Sequence, residues 1–200
     1  MNKKVKSWKI ITIFNSFQLD LCLRKGMRES MDIEEVKNNS NNKEFIMKAV
    51  SMEGKLLDYA SDELKQDKDV VEAALNQDGE ALEFASDKLK DDKEVVMLGI
   101  KKAPWTACYA SERLKADRDV IKSSVETYGQ TLYFASEDLR DDDEIVKLAV
   151  SNKGLIIKYA SFRLRDNKEI ATLAVTQNKE AYHFLSPRLK QDEDIKKLIS

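Results

Sequence analysis

Residues 57–75 read LDYASDELKQDKDVVEAAL, and residues 82–100 read LEFASDKLKDDKEVVMLGI. Either stretch alone resembles one amphipathic helix with a charged interruption. Together they are the same phrase written twice, 25 residues apart. An internal repeat decides the fold before local propensity does, because each copy can bury its apolar face only against the next.

The aromatic-x-Ser element stands at Tyr59-Ala60-Ser61, Phe84-Ala85-Ser86, Tyr109-Ala110-Ser111, Phe134-Ala135-Ser136, Tyr159-Ala160-Ser161 and Phe184-Leu185-Ser186. The serines are 25 apart throughout, and Tyr alternates with Phe, so the units also pair into 50-residue repeats. With each serine as position 0, position +3 is always Leu (Leu64 to Leu189) and position +4 always basic (Lys65 to Lys190). Position +6 is Asp or, at Asn167, Asn; position +8 is acidic; position +9 is Val or Ile.

Helix-end chemistry accounts for this pattern. An Asp or Asn at +6 is an N-cap whose side chain accepts a bond from a free backbone N–H of the following helix. The acid two residues later lies in the first turn, where the helix dipole favours it. Val95, Val96, Leu98 and Ile100 then follow at helical spacing. Gly79, Gly129 and Gly154 come after the helix end, where a left-handed residue is least costly. The repeating Ser is a second N-cap, and Pro187 directly after Ser186 suits the first helical position. Helices this short do not hold alone. The fold class is therefore all-α: a solenoid-like array of 25-residue units, each a short helix, a capped turn and a longer helix. A half-unit beginning at Asn42 and six full units fill residues 42–200, behind a separate segment, residues 1–41.

That segment differs in charge. Residues 1–28 hold seven basic residues and one acid, Asp20, whereas the remainder holds 27 basic against 35 acidic residues. An acidic body is a poor binder of polyanions. MNKKVKSWKIITIF has the outline of a signal peptide, but its apolar run is broken at Asn15 and Ser16. Three readings stay open: an amphipathic cap helix, a basic segment at a membrane surface, or an upstream start with initiation at Met27 or Met31. KNNSNNK, residues 37–43, reads as a polar linker. Cys22 and Cys108 are isolated, without zinc or redox spacing, which suits buried small side chains in a reducing cytoplasm.

LKDDKEVVMLGIKK at 89–102 and GLIIKYASFRLRDNKEIATLAV at 154–175 resemble the tandem repeats of the domain of unknown function DUF4116. That family's unit reads LKxDKEVVxxAVxxxGxALxYAS and spans about fifty residues when two phrases are counted. The resemblance covers residues 42–200 and implies a helical repeat module, with no activity and no site residues to transfer. The chain departs from the pattern at Pro104, where Gly is usual, at Lys179, and at Leu185 in place of Ala.

The residues offer little chemistry. His183 is the sole histidine; it and Cys108 occupy the same position three units apart, too far for a nucleophilic pair. No phosphate loop or Ca²⁺ loop is present. The bases at +4 beside the acids at +6 and +8 read as local or inter-unit ion pairs. No enzyme activity, cofactor or metal is expected.

A repeat protein binds where its copies differ. Positions −6 and −3 share a face. Position −6 reads Lys55, Glu80, Trp105, Gln130, Leu155, Glu180, and position −3 reads Asp58, Glu83, Cys108, Tyr133, Lys158, His183. The central units thus offer Trp105, Cys108, Tyr128, Gln130, Tyr133, Leu155 and Lys158 as a partner-binding set, since large amphipathic aromatics form hot spots. The expected function is a non-enzymatic scaffold that binds a protein or peptide. The alternative is a membrane-surface or nucleic-acid adaptor working through residues 1–28.

Overall fold

A computed structural model describes residues 31–200; the basic segment 1–28, Cys22 and the three readings of the N-terminus lie outside the described residues. The chain divides into Met1–Glu35 and the array, Val36–Ser200. Every regular element among the described residues is helical.

The second unit shows the pattern: a 3₁₀ segment, Gly79–Phe84, a four-residue α-turn, Asp87–Lys90, and a ten-residue helix, Lys93–Lys102. The same three elements occur six times, after a first long helix at Lys43–Met52. Both expected caps form. Asp92 accepts from the backbone N–H groups of Glu94 and Val95, and Asn42 accepts from Phe45. Ser61, Ser111, Ser136, Ser161 and Ser186 each accept from the leucine N–H three residues on. Ser86 makes no such bond, and its hydroxyl is buried without a partner; nothing around it explains the exception.

The core is built from the recurring positions. All six +3 leucines are buried, as are Val70, Val95, Val120, Ile145, Ile170 and Ile195 at +9. Burying each such side chain contributes about 1.5–3 kcal/mol, and each is shared between neighbouring units. Successive units are also joined through the backbone. The N–H of Ser111 donates to the Lys90 carbonyl at 2.9 Å, and Ser86, Ser136, Ser161 and Ser186 repeat the bond to Lys65, Lys115, Arg140 and Arg165. The first link runs from Ser61 to the Ser40 carbonyl at 2.9 Å. KNNSNNK is therefore no bare linker: it holds the end of the helix Ile33–Asn38, the first latch carbonyl and the Asn42 cap.

Two sequence expectations are corrected. No described glycine adopts a left-handed φ, and the residue before each 3₁₀ segment is extended at Glu53, Asp78, Ala103, Lys153 and Asn178. Glycine is needed because the next unit's helix comes too close. A Cβ on Gly129 would lie 2.5 Å from the Ala149 carbonyl oxygen, and one on Gly79 would lie 2.6 Å from that of Gly99. At Pro104 the opposing residue is Ser124, whose hydroxyl donates to the Pro104 carbonyl at 2.6 Å and meets Thr131 Oγ1 at 2.5 Å. The buried polar residues Thr106, Ser124 and Thr131 are thereby all bonded, as burial demands. The departure at Pro104 leaves the 25-residue step intact.

The base at +4 pairs only within its own turn, as Lys115 does with Glu112 and Arg140 with Glu137. The cation that bridges both the +6 and the +8 acid of the next unit is a different residue. It is the first residue of each long helix: Lys43 bridges Asp67 and Asp69, Lys68 bridges Asp92 and Glu94, Lys93 bridges Asp117 and Asp119, Arg118 bridges Asp142 and Glu144, and Lys168 bridges Asp192 and Asp194. The chain breaks this ladder once. Asp143 occupies the cation's place, and the cap opposite it is Asn167, the sole cap at +6 that is not Asp. Neutralising one of two facing carboxylates removes a like-charge contact.

A candidate partner-binding face

Each variable side chain stands on a 3₁₀ segment, where residues three apart eclipse, so positions −6 and −3 align more closely than on an α-helix. The residues between them are buried, as with Thr131 and Leu132 or Ile156 and Ile157. Burial of that pair turns the variable pair outward.

The expected set separates into two clusters. In the first, the position −6 side chains of the first three units bond one another. Lys55 pairs with Glu80, and Trp105 Nε1 donates to Glu80 Oε1 at 3.0 Å. The Trp105 ring meets Tyr128 edge-on at 6.1 Å and is 40% exposed. The bond from Lys55, then that from Trp105, holds the Glu80 carboxyl below its ordinary range. Gln130 and Leu155, at position −6 of the next two units, are half-buried. In the second cluster Tyr133, 56% exposed, packs against Phe134 at 4.9 Å and Tyr159 at 4.8 Å, and the Lys158 ammonium lies over the Tyr159 ring at 4.7 Å. The two exposed rings thus have different ring partners, Tyr128 for Trp105 and Tyr159 for Tyr133.

Cys108, on the same 3₁₀ segment as Trp105, is half-buried. Burial pushes its thiol up, which keeps it protonated and a weak nucleophile. Burial, then the bond from its hydroxyl to Glu83, pushes neighbouring Tyr109 up to about 12. Three of the repeat serines also donate: the hydroxyls of Ser111, Ser161 and Ser186 bond Asp91, Asp141 and Asp166 of the preceding unit, which Arg113, Arg163 and Arg188 also grip. Among the described residues no group of three or more His, Cys, Asp or Glu side chains is arranged to hold a metal ion, and no helix is long and apolar enough to cross a membrane.

One residue of this face escaped the comparison of positions −6 and −3. Phe162 is 84% exposed, with the Arg165 guanidinium 4.2 Å from its ring centre. It borders a cleft of about 420 Å³ lined by Glu137, Arg140, Lys158, Tyr159, Ser161 and Arg165. The signal was present at position +1, which reads Asp62, Asp87, Glu112, Glu137, Phe162, Pro187. Four acids followed by a phenylalanine are as clear a departure as Trp105.

Comparison with curated proteins and with solved structures gives no match. The family model described as Domain of unknown function (DUF4116) matches five times in overlapping tandem, at residues 42–90, 67–115, 92–140, 117–165 and 142–190. Each match spans two phrases, and each begins 25 residues after the last, which makes the single phrase the elementary period. With caps, aromatic, leucine and inter-unit contacts all in register over that span, the chain belongs to the DUF4116 family of tandem helical repeats.

Proposed function

We propose that the array is a non-enzymatic interaction scaffold that receives a protein or peptide on the face formed by positions −6 and −3 of its central units. The observation that carries this reading is Tyr133: a large aromatic, more than half exposed and braced by Tyr159 and Phe134, at a position that varies from unit to unit. Rigid, pre-placed aromatics supply most of the binding free energy at interfaces while losing little side-chain entropy. Lys158 and Trp105 extend the same face. The isolated Cys108 suits a cytoplasmic setting.

The test is the double variant Trp105→Ala, Tyr133→Ala immobilised beside the wild type. Both side chains are exposed, so thermal melting is expected to move little, while retention of bound protein from the native cell falls. Unchanged retention with a lowered melting temperature would assign both rings to packing alone.

A further inference from the structure

The cleft beside Phe162 is positive where the corresponding places in the units before it are not. Across the first and second units the same five positions hold Asp62, Lys65, Glu83, Asp87 and Lys90, three acids against two cations. In the cleft they hold Glu137, Arg140, Lys158, Phe162 and Arg165, three cations against one acid. That acid does little to neutralise them, since Glu137 is almost fully exposed and reaches Arg140 only at 3.9 Å. Neither Lys158 nor Arg165 has an ion-pair partner among the described residues. The Nε atoms of Arg140 and Arg165 are buried without an acceptor, whereas Arg113, Arg163 and Arg188 each bond an aspartate through Nε. The array thus satisfies its arginines elsewhere and leaves positive charge uncompensated here.

We propose that this cleft binds an acidic segment of a protein partner, with an apolar side chain of that segment resting on Phe162 and Tyr159 and its carboxylates facing Lys158, Arg140 and Arg165. This rests on the scaffold reading and names the partner's chemistry. The cleft volume suits one or two side chains. Phosphate fits less well, because it offers nothing apolar to rest on Phe162 and Tyr159, which line the cleft beside the cations. A long polyanion would also meet the acids that outnumber cations over the rest of the body.

The probe is a fluorescein-labelled peptide, Glu-Leu-Glu-Glu-Leu-Glu, titrated with the full chain by fluorescence anisotropy beside its Lys-for-Glu counterpart. The acidic peptide is expected to bind and the basic one not, with binding weakened by salt. Phe162→Ala and Lys158→Glu, both at exposed positions, should each weaken it about tenfold, the scale of losing a hot-spot contact, with melting unchanged. Equal binding of both peptides, or an affinity unmoved by either substitution, overturns the proposal. So does tighter binding of a single-stranded oligonucleotide or an anionic vesicle through the same residues, or a wild-type dimer in sedimentation that Phe162→Ala abolishes. If the acidic peptide fails while Trp105→Ala, Tyr133→Ala still removes partner retention, the cleft assignment falls and the scaffold reading stands.

Discussion

The second and fifth units are built on one backbone and present opposite surfaces. Both run from glycine through a 3₁₀ segment, a four-residue turn that follows a serine and a ten-residue helix, and both bury leucine at +3 and Val or Ile at +9. Yet the second shows Glu80, Glu83 and Asp87, where the fifth shows Leu155, Lys158 and Phe162. Folding information and surface identity occupy different positions of the same 25 residues. Such an array can change what it binds unit by unit while the buried contacts that hold it together stay fixed.

The largest effect should come from the shared positions. Leu164→Ala, at a fully buried site, is expected to cost about 2–5 kcal/mol, read as the denaturant midpoint. Because neighbouring units share that core, the loss should also broaden the transition. Next comes close approach. Gly129→Ala places a Cβ against the Ala149 carbonyl, and overpacking against backbone costs about 1–3 kcal/mol. The equivalent residue of the last unit is already Lys179, which reaches the Ile199 carbonyl at 3.3 Å; Lys179→Ala should be close to neutral in the same assay. This pair separates crowding from a general demand for glycine.

The caps come third. Asp92→Ala should cost about 0.5–2 kcal/mol. At Asp92, Asp117 and Asp142 burial pushes the carboxyl up, but the bond from Lys68, Lys93 or Arg118 and the capped backbone N–H groups outweigh it, and each is held below the ordinary value of 3.8. Depressed folded values mean that these carboxylates stabilise above pH 3.8 and lose that contribution as pH falls through the lower folded values. Denaturation profiles at pH 7 and pH 3 should differ less in Asp92→Asn, Asp117→Asn, Asp142→Asn than in the wild type. The ladder's one exception gives a finer check. Asn167→Asp puts a second carboxylate at the register position opposite Asp143, which among the described residues Arg163 alone pairs, at 2.9 Å. It should destabilise, and adding Asp143→Lys should restore the loss, a coupling that a double-mutant cycle measures directly.

The sequence alone carried the period, the two caps and the core positions, because each is a local rule repeated six times. It did not carry the reason for glycine. That reason is a carbonyl on the next unit, and no property of Gly129 itself points to Ala149. Nor did it choose the bridging cation. Bases stand at both +4 and +7, and only the packed direction of the side chains sends Lys68 to Asp92 and leaves Lys65 to the turn. The site was half legible. Tyr133 and Lys158 stand out where the copies disagree at −3, and Phe162 stands out in the same way among the acids at +1. What the residues could not show was that Trp105 and Tyr133 take different ring partners, which depends on how successive units stack.

The measurement that bears most directly on this division is the equilibrium unfolding of Lys158→Glu, Phe162→Asp. These changes give the fifth unit the residues that the second carries at Glu83 and Asp87. A surface that serves recognition alone should leave stability within about 0.5 kcal/mol of the wild type, or slightly raise it, since Asp in a first turn favours the helix dipole. A loss of about 2 kcal/mol or more, the scale of a core truncation, would contradict the account and place Phe162 among the residues that hold the array together.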